Sequence, residues 1–313
     1  MHERILIIKL GALGDIIMAA GAIHDIRNQH QDAELTVLTT GPYKKIFERC
    51  PWVDKIVLDP RDPRWRLDLM RQLKGRVDFD SYDMIYDLQK VKRSNFYHRW
   101  FVKKASWSGK APGCSHYFQM PKYPISVQDE FVLQLQTSGV QVEYTRKPDL
   151  EWFVEDAGSI LSEANVNQPY IVLMPGSSSG QVRRRWPYYG ELAQLLIDSG
   201  FCVLTVPGPD DLETCLGIPG IMLTGDQEYL NYFYLAGVLE KAAFVVGNDS
   251  GPSHIAANLG VPGIALFGKQ SKKYMKNMKR KAFACLFIER LEDLTPQTLF
   301  AEIAERMSSM RGG

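Results

Sequence analysis

The sequence predicts an α/β protein of two successive domains, each built on a parallel sheet, whose strand ends face a common cleft. Short apolar runs of strand length alternate with helical periodicity in two series along the 313 residues. Glycine-rich turns follow strands in both series, and the alternation lapses around residues 148–168. Ligands of open α/β sheets bind beyond the carboxyl ends of the strands, so both sets of turns are candidate binding elements.

The first series predicts a domain over residues 1–155. Its leucine- and isoleucine-rich run 4–10 is typical of a central parallel strand, because such strands are buried on both faces. Further strands are predicted at 35–38, 55–58 and 84–88, and helices at 16–28 and 43–49.

The second series predicts a domain over residues 168–294. Strands are predicted at 170–174, 201–206, 221–223, 243–246 and 263–267, and helices at 188–199, 230–239 and 255–260. A terminal helix is predicted over 295–310, within the last segment 295–313, with Thr295 as N-cap and Pro296 in the first helical position.

Composition indicates an ordinary globular protein of the cytoplasm. The formal net charge of +1 gives no reason to expect nucleic-acid binding. Five scattered cysteines form no Cys-x-x-Cys pair, so we expect reduced thiols and neither a zinc site nor a disulfide framework. The apolar run at residues 5–8 is cut by Lys9, and no segment predicts a membrane span.

The segment 247–254 (GNDSGPSH) is the strongest candidate for a ligand site. It joins a predicted buried strand to a predicted helix, and such a turn leaves backbone N–H groups free for a phosphate. His254, in the first turn of that helix, adds a further donor, although a lone histidine is more often structural. We therefore expect Asp249, Ser250, Gly251 and His254 to bind a nucleotide-linked substrate.

The segment 9–15 (KLGALGD) is the second candidate. Gly11 and Gly14 permit close approach of a ligand to the backbone, and Asp15 is predicted at the start of a helix. An ionised carboxylate beside a sugar hydroxyl can act as a general base, but an acid here also caps a helix without further function. The glycine spacing is not that of the dinucleotide-binding fingerprint.

Two loops of the second domain add candidate donor-binding side chains. The first contains the glycine and serines of 175–180, followed by Arg184 and Arg185. The guanidinium of arginine can donate several hydrogen bonds to a phosphate, so this loop is a candidate phosphate site. The alternative is a flexible basic loop on the surface. The second follows a strand and contains Asp210, which is placed to bind a ribose or simply to favour the helix dipole. The candidates in these loops are Gly176, Ser177, Ser178, Arg184, Arg185 and Asp210.

On the first domain, Gln89 and Arg93 follow a strand and are candidates for the acceptor side, or they belong to a solvated loop. Two basic segments, 96–104 with its aromatic residues and 269–281, would suit anionic lipid or glycan, although a solvated helix face explains the second almost as well.

Three of these segments, taken in order, resemble glycosyltransferase family 9, the ADP-heptose:lipopolysaccharide heptosyltransferases. They are 9–15, which is similar to the family's K-x-G-x-x-G-D block, 175–187 with its PGSS and RRWP sequences, and 247–254. The resemblance implies two Rossmann-like domains in the GT-B arrangement, with the terminal helix packing back on the first domain. It also implies inverting, metal-independent transfer of heptose from ADP-heptose to a lipopolysaccharide core acceptor, at the cytoplasmic face of the inner membrane.

By this resemblance Asp15 is the catalytic base, and Arg184 stands where the family usually has a lysine facing the donor phosphates. Gly11 and Gly14 belong to the acceptor side, and no cofactor or metal is implied beyond the nucleotide-sugar substrate. Two other functions remain open: a nicotinamide-dependent oxidoreductase on similar sheets, and a relative that binds a nucleotide sugar without catalysis. Peripheral contact with the membrane is a further expectation.

Overall fold

A computed structural model describes residues 3–177, 183–209, 211–225 and 228–311 of the chain. The chain forms two compact units, Met1–Trp152 and Phe153–Gly313. Each unit contains a six-stranded sheet in which every neighbouring pair of strands is parallel. The predicted fold class, α/β with parallel sheets, is confirmed.

The sheet of the first unit has its earliest strand near the centre. Its strands are β1 (Arg4–Ile8), β2 (Glu34–Thr39), β3 (Lys55–Leu58), β4 (Met84–Asp87), β5 (Ser106–Gly109) and β6 (His116–Tyr117). They lie in the order β3-β2-β1-β4-β5-β6. Residues 5–8 of β1 have no exposed surface, as predicted for a strand covered on both faces.

Helices follow the strands along the described part of this unit, four of them between strands and the fifth after β6. They are α1 (Leu13–Gln29), α2 (Lys44–Arg49), α3 (Leu67–Val77), α4 (Lys92–Phe101) and α5 (Val127–Thr137). α5 has a side-chain cap, because the Ser126 hydroxyl accepts the Asp129 N–H. α3 ends at Asp78, which adopts the left-handed backbone conformation that commonly terminates helices.

Asp25 ties α1 to the loop that follows α5. Its carboxylate is 1% exposed and accepts the N–H groups of Glu143, Tyr144 and Thr145 at 2.9–3.1 Å, as well as the Thr145 hydroxyl. Because asparagine has one acceptor oxygen instead of two, we expect Asp25→Asn to lower the free energy of unfolding by about 1–3 kcal/mol. Urea denaturation measures this loss. Asp32→Asn, at an exposed position of the same unit, should leave the unfolding curve unchanged.

The sheet of the second unit repeats this plan. Its strands are β7 (Tyr170–Met174), β8 (Cys202–Thr205), β9 (Ile221–Met222), β10 (Phe244–Asn248), β11 (Gly263–Phe267) and β12 (Phe283–Phe287). They lie in the order β12-β11-β10-β7-β8-β9. Its helices are α6 (Gly158–Glu163), α7 (Tyr189–Asp198), α8 (Leu212–Leu216), α9 (Tyr232–Glu240), α10 (Gly251–Leu259) and α11 (Pro296–Arg311).

The terminal helix α11 packs within the second unit. Leu299 and Ile303 are buried in a core that also contains Trp186 and Leu196. Thr295 caps the helix as predicted, its hydroxyl accepting the Thr298 N–H at 3.2 Å. The buried side of α11 is therefore covered by its own unit, and its predicted packing on the first domain stays a prediction.

The predicted linking segment, residues 148–168, contains a 3₁₀ turn at Glu151–Phe153 and the short helix α6. The division between the units falls after Trp152, and α6 belongs to the second unit.

In the part of the chain that the structure describes, no helix combines the length and apolar character needed to cross a bilayer.

Candidate functional site

In the first unit, the turn after β1 has a backbone that only glycine fits. Gly11 has a φ of +124°, and a Cβ at this position would overlap the ring of Tyr43. The neighbouring Leu10 is held from two sides: its N–H donates to Gln89 Oε1 at 2.8 Å and its carbonyl accepts the Thr40 hydroxyl at 3.0 Å. The Gln89 side-chain oxygen, predicted for the acceptor side, thus positions this turn.

Asp15 lies in the first turn of α1, directly after the buried Gly14. Its Oδ2 accepts the N–H of Ala12 at 3.2 Å, which satisfies one free donor of the helix start. The side chain is half-buried. The structure thus shows the capping contact, and that contact uses one of the two carboxylate oxygens. A role as base stays a prediction.

Lys9 lies directly before this turn; it belongs to the candidate segment 9–15, but no role was predicted for it. It is 3% exposed, and its Nζ donates to the Leu88 carbonyl at 3.4 Å. Burial lowers the pKa of Lys9, while the charges of Asp15 and Asp87 oppose that shift. The sequence contains a signal for this residue, because a lysine at the end of an apolar strand is expected to be buried, and a buried cation needs a hydrogen-bond partner.

Arg93, predicted for the acceptor side, binds within its own unit. Its Nε and Nη2 donate to the two oxygens of Asp59 at 2.8 and 2.6 Å, and Nη1 donates to the Asp62 carbonyl at 2.7 Å. Asp59 has no exposed surface and also accepts the Tyr97 hydroxyl. A buried carboxylate needs such partners, so the observed role of Arg93 is to hold the loop after β3. Its contact with an acceptor stays a prediction.

In the second unit, Asn248 joins two of the predicted donor segments. It ends β10, and its Oδ1 accepts the Trp186 N–H at 3.1 Å and the Tyr189 hydroxyl at 3.2 Å. Its Nδ2 donates to the Pro175 carbonyl at 2.7 Å. This side chain is fully buried and was not singled out from the sequence, although it lies inside the strongest motif. Because Asn248 bonds to residues of 175–187, this segment and 247–254 are held against each other.

Arg184 and Asp249 form an ion pair at this site, with Arg184 Nη1 2.7 Å from Asp249 Oδ2. The Asp249 side chain is 5% exposed and that of Arg184 is 23% exposed. The guanidinium carbon lies 5.6 Å from the ring centre of Tyr274. Among the described residues, the buried Nε of Arg184 has no hydrogen-bond partner. The partly exposed guanidinium has N–H donors besides the one that binds Asp249, and such a group suits a phosphate.

The N-terminus of α10 adjoins this pair. Ser250 is the N-cap residue, its side chain does not cap the helix, and Gly251 is the first helical residue. The backbone N–H groups of a helix start favour an anion. His254 is buried in the first turn, and its carbonyl accepts the Asn258 side-chain amide at 2.8 Å. The four residues predicted from this motif therefore lie together.

Arg185 positions the loop after β7. It donates to Ser177 Oγ at 3.2 Å, to the Ser177 carbonyl at 3.0 Å and to Asp211 Oδ1 at 2.8 Å. A Cβ on Gly176 would overlap the same Asp211 carboxylate, so a larger residue there would displace the carboxylate that Arg185 binds. These contacts make Arg185 a support for the loop, and its donor contact stays a prediction. The predicted Ser178 and Asp210 lie outside the described residues.

The basic and aromatic segment 96–104 is divided between core and surface. Tyr97 and Phe101 are buried in the core of the first unit, and Trp100 is 59% exposed.

In the described ranges, no three His, Cys, Asp or Glu side chains converge as a metal site would require.

Several solved structures have the same fold as this chain. A heptosyltransferase II of E. coli covers 98% of this chain and 99% of its own, with 20% identity and a TM-score of 0.74. A family 9 glycosyltransferase of Veillonella parvula covers 98% of both chains, with 17% identity and a TM-score of 0.79. An E. coli heptosyltransferase bound to ADP has a TM-score of 0.68 at 20% identity, over 98% of this chain and 99% of its own.

Two curated relatives match by sequence. Lipooligosaccharide heptosyltransferase 2 of Haemophilus ducreyi is 24% identical over 222 residues, and lipopolysaccharide heptosyltransferase 1 of Pseudomonas aeruginosa is 25% identical over 217. These alignments cover 64% of this chain but 62% and 59% of the relatives, less than two thirds of either. The model of glycosyltransferase family 9 (heptosyltransferase) matches residues 66–303, well over half of the sequence, and the chain therefore belongs to that family.

Proposed function

We propose that this protein transfers a heptose from ADP-heptose to a core sugar of lipopolysaccharide, with inversion and without a metal. The observation that carries the proposal is the α10 N-terminus beside the Arg184–Asp249 pair, which lies within the residues matched by the family. The fold is similar to those of two solved heptosyltransferases, one of them with ADP, and this similarity supports the choice of donor.

On the donor side, the first-turn N–H groups of α10 and the Arg184 guanidinium bind the diphosphate. Negative charge grows on that diphosphate as the glycosidic bond breaks. Fixed donors aimed at such charge are often the largest contribution to catalysis. Asn248 keeps these groups in place by bonding to the loop after β7 and to Trp186.

On the acceptor side, Asp15 accepts the proton of the attacking hydroxyl, which then displaces the diphosphate from the opposite face of the donor sugar. The Ala12 N–H fixes the orientation of this carboxylate. Asp15 lies outside the residues matched by the family model, so its role rests on its place in the 9–15 segment and on its geometry.

Calorimetric titration with ADP, UDP, GDP and NADH, without added metal, tests the donor. We expect ADP to bind in preference to UDP, GDP and NADH, because ADP carries the nucleoside and the diphosphate of the proposed donor. Asp249→Ala should weaken this binding, since the substitution removes the partner that orients Arg184. Preference for UDP or GDP would discard ADP-heptose, and binding of NADH alone would favour an oxidoreductase instead.

We further propose that the first unit contacts the inner membrane peripherally at the cytoplasmic face. Trp65 and Trp100 are 79% and 59% exposed, and the Arg99 guanidinium lies 5.5 Å from the ring centre of Trp100. Exposed indole rings beside cations suit an anionic bilayer surface. Co-sedimentation with anionic liposomes should fall with rising salt and with Trp100→Ser. Absence of salt-sensitive binding would contradict this contact.

A further inference from the structure

The basic segment 269–281 lies at the same edge of the second sheet as the donor-side segments. It follows β11, whereas 247–254 begins within β10 and 175–187 follows β7. The strands β11, β10 and β7 are consecutive neighbours in this parallel sheet. Because the carboxyl ends of parallel strands meet at one edge, all three segments leave the sheet on the side where such folds bind ligands. The proposed function uses the first two of these strand ends and gives no role to 269–281.

Tyr274 of this segment contacts Arg184. The guanidinium carbon of Arg184 lies 5.6 Å from the centre of the Tyr274 ring. At this separation a cation is attracted to the negative face of an aromatic ring, and the planar guanidinium packs on such rings more often than an ammonium group does. Tyr274 is 36% exposed and the Arg184 side chain is 23% exposed, so solvent screens the attraction only in part.

The Arg184 guanidinium is otherwise held at one nitrogen. Its Nη1 donates to Asp249 Oδ2 at 2.7 Å, and this is its one hydrogen bond to the described part of the chain. A group joined at one nitrogen can still turn about that bond. The ring of Tyr274 adds a second point of contact, which restricts the plane of the guanidinium and the direction in which its other N–H groups point.

The turn that carries this ring is anchored at two places. It is the 3₁₀ helix Lys272–Asn277, and within it the Met275 carbonyl accepts the Cys285 thiol of β12 at 3.4 Å. Further along the segment, Arg280 Nη2 donates to Asn258 Oδ1 on α10 at 2.9 Å. The ring is therefore presented from a segment tied both to the sheet and to the helix whose N-terminus belongs to the donor site.

Lys273 is a second cation near the same ring, with its Nζ 4.9 Å from the ring centre. It is exposed, so water and salt screen its charge. Arg184 is the more enclosed of the two cations, and it is paired with the buried Asp249. The ring should therefore have its larger effect on Arg184, because cation–ring attraction grows as the cation loses water.

We propose that Tyr274 is a positioning residue, which holds the Arg184 guanidinium in the orientation that binds the donor diphosphate. A side chain that is already oriented loses less conformational freedom when its ligand binds, and affinity rises accordingly. The proposal rests on the proposed function, because Arg184 must bind the diphosphate. It does not depend on which nucleoside that diphosphate carries.

Calorimetric titration of the full chain with ADP and with inorganic pyrophosphate tests this role. Tyr274→Leu should weaken both ligands by about three- to tenfold, because it removes the ring and keeps an apolar side chain. Tyr274→Phe should keep the wild-type affinities, since the ring and not the hydroxyl contacts the guanidinium. The matched control is Tyr123→Leu, which removes a 69% exposed tyrosine of the first unit and should change nothing.

A fluorinated series at position 274 isolates the electrostatic part of the contact. Phenylalanine that carries one, two or three fluorine atoms nearly keeps the shape of the ring, while fluorine withdraws negative charge from its face. Affinity for ADP should therefore fall in steps along the series. These variants also keep the test decisive where Tyr274→Leu fails to fold, which urea denaturation would reveal. Equal ADP affinities along the series would contradict the proposal.

Double variants separate positioning from direct contact with the ligand. In the Arg184→Met background, Tyr274→Leu should have no further effect, because the ring then has no guanidinium to orient. An undiminished effect there would mean that the ring touches the nucleotide itself, and the positioning role would be wrong. Lys273→Met should have a smaller effect than Tyr274→Leu. A loss as large as that of Tyr274→Leu would mean that the ring acts through Lys273 instead.

The same titrations distinguish failure of this role from failure of the proposed function. Wild-type affinity in Tyr274→Leu, together with weakened binding in Arg184→Met, would remove the role of Tyr274 alone. Preference of the wild-type protein for UDP or GDP would discard ADP-heptose, and the loss in Tyr274→Leu should then appear with that nucleotide. A loss in Tyr274→Phe equal to that in Tyr274→Leu would assign the effect to the hydroxyl and overturn the proposal.

Discussion

Replacing Asp15 with asparagine is expected to lower kcat by about 10²- to 10⁴-fold, the usual contribution of a general base. Asparagine keeps an oxygen that can accept the Ala12 N–H, which in the wild-type protein donates to Asp15 Oδ2 at 3.2 Å. The turn and α1 should therefore remain intact. An amide, however, has no basic oxygen to take the proton of the attacking hydroxyl. Initial rates with ADP-heptose and a lipopolysaccharide core acceptor measure the effect.

Asp68→Asn is the matched control for this variant. Asp68 also lies in the first turn of a helix of the first unit, α3, where it pairs with Arg66. It should alter neither kcat nor ADP affinity. Asp15→Asn should likewise keep the wild-type affinity for ADP, because the proposed donor site belongs to the second unit. Unchanged turnover in Asp15→Asn would reduce Asp15 to its observed capping role.

The central strands could be predicted from the sequence because burial on both faces leaves a continuous apolar run. Residues 5–8 and 244–246 are such runs, and both have no exposed surface. β5 was missed because Ser106–Gly109 has no aliphatic side chain, and its burial comes from its neighbours. α4 was interpreted as a basic and aromatic surface, although Tyr97 and Phe101 are spaced to share one buried face.

The turns of the candidate site could be predicted because their chemistry is local. Glycine at position 11 and the N-terminus of α10 both follow from a few consecutive residues. The partners of the arginines could not be predicted in this way. Arg93 binds Asp59, Arg184 binds Asp249 and Arg185 binds Asp211, over separations of 34, 65 and 26 residues. The folded structure is needed to show that Arg93 and Arg185 support loops, whereas the guanidinium of Arg184 is partly exposed and can bind a ligand.

Replacing Arg184 with methionine is expected to weaken ADP binding by roughly 10- to 100-fold, since a charge-assisted hydrogen bond contributes about 1.5–3 kcal/mol. The same change leaves the Asp249 carboxylate, 5% exposed, without the partner 2.7 Å away. Breaking such a pair should also lower the free energy of unfolding, by about 3 kcal/mol. Calorimetry with ADP and urea denaturation measure the two effects separately.

The double variant Arg184→Met/Asp249→Asn separates ligand binding from stability. Removing both charges should recover most of the lost free energy of unfolding, because the buried carboxylate that has lost its arginine is then replaced by a neutral amide. It should not recover ADP affinity if Arg184 binds the diphosphate directly. Arg290→Met, which removes an exposed arginine of the same unit 3.7 Å from Asp293, should change neither quantity. Recovery of ADP affinity in the double variant would mean that Arg184 acts on the donor only by neutralising Asp249.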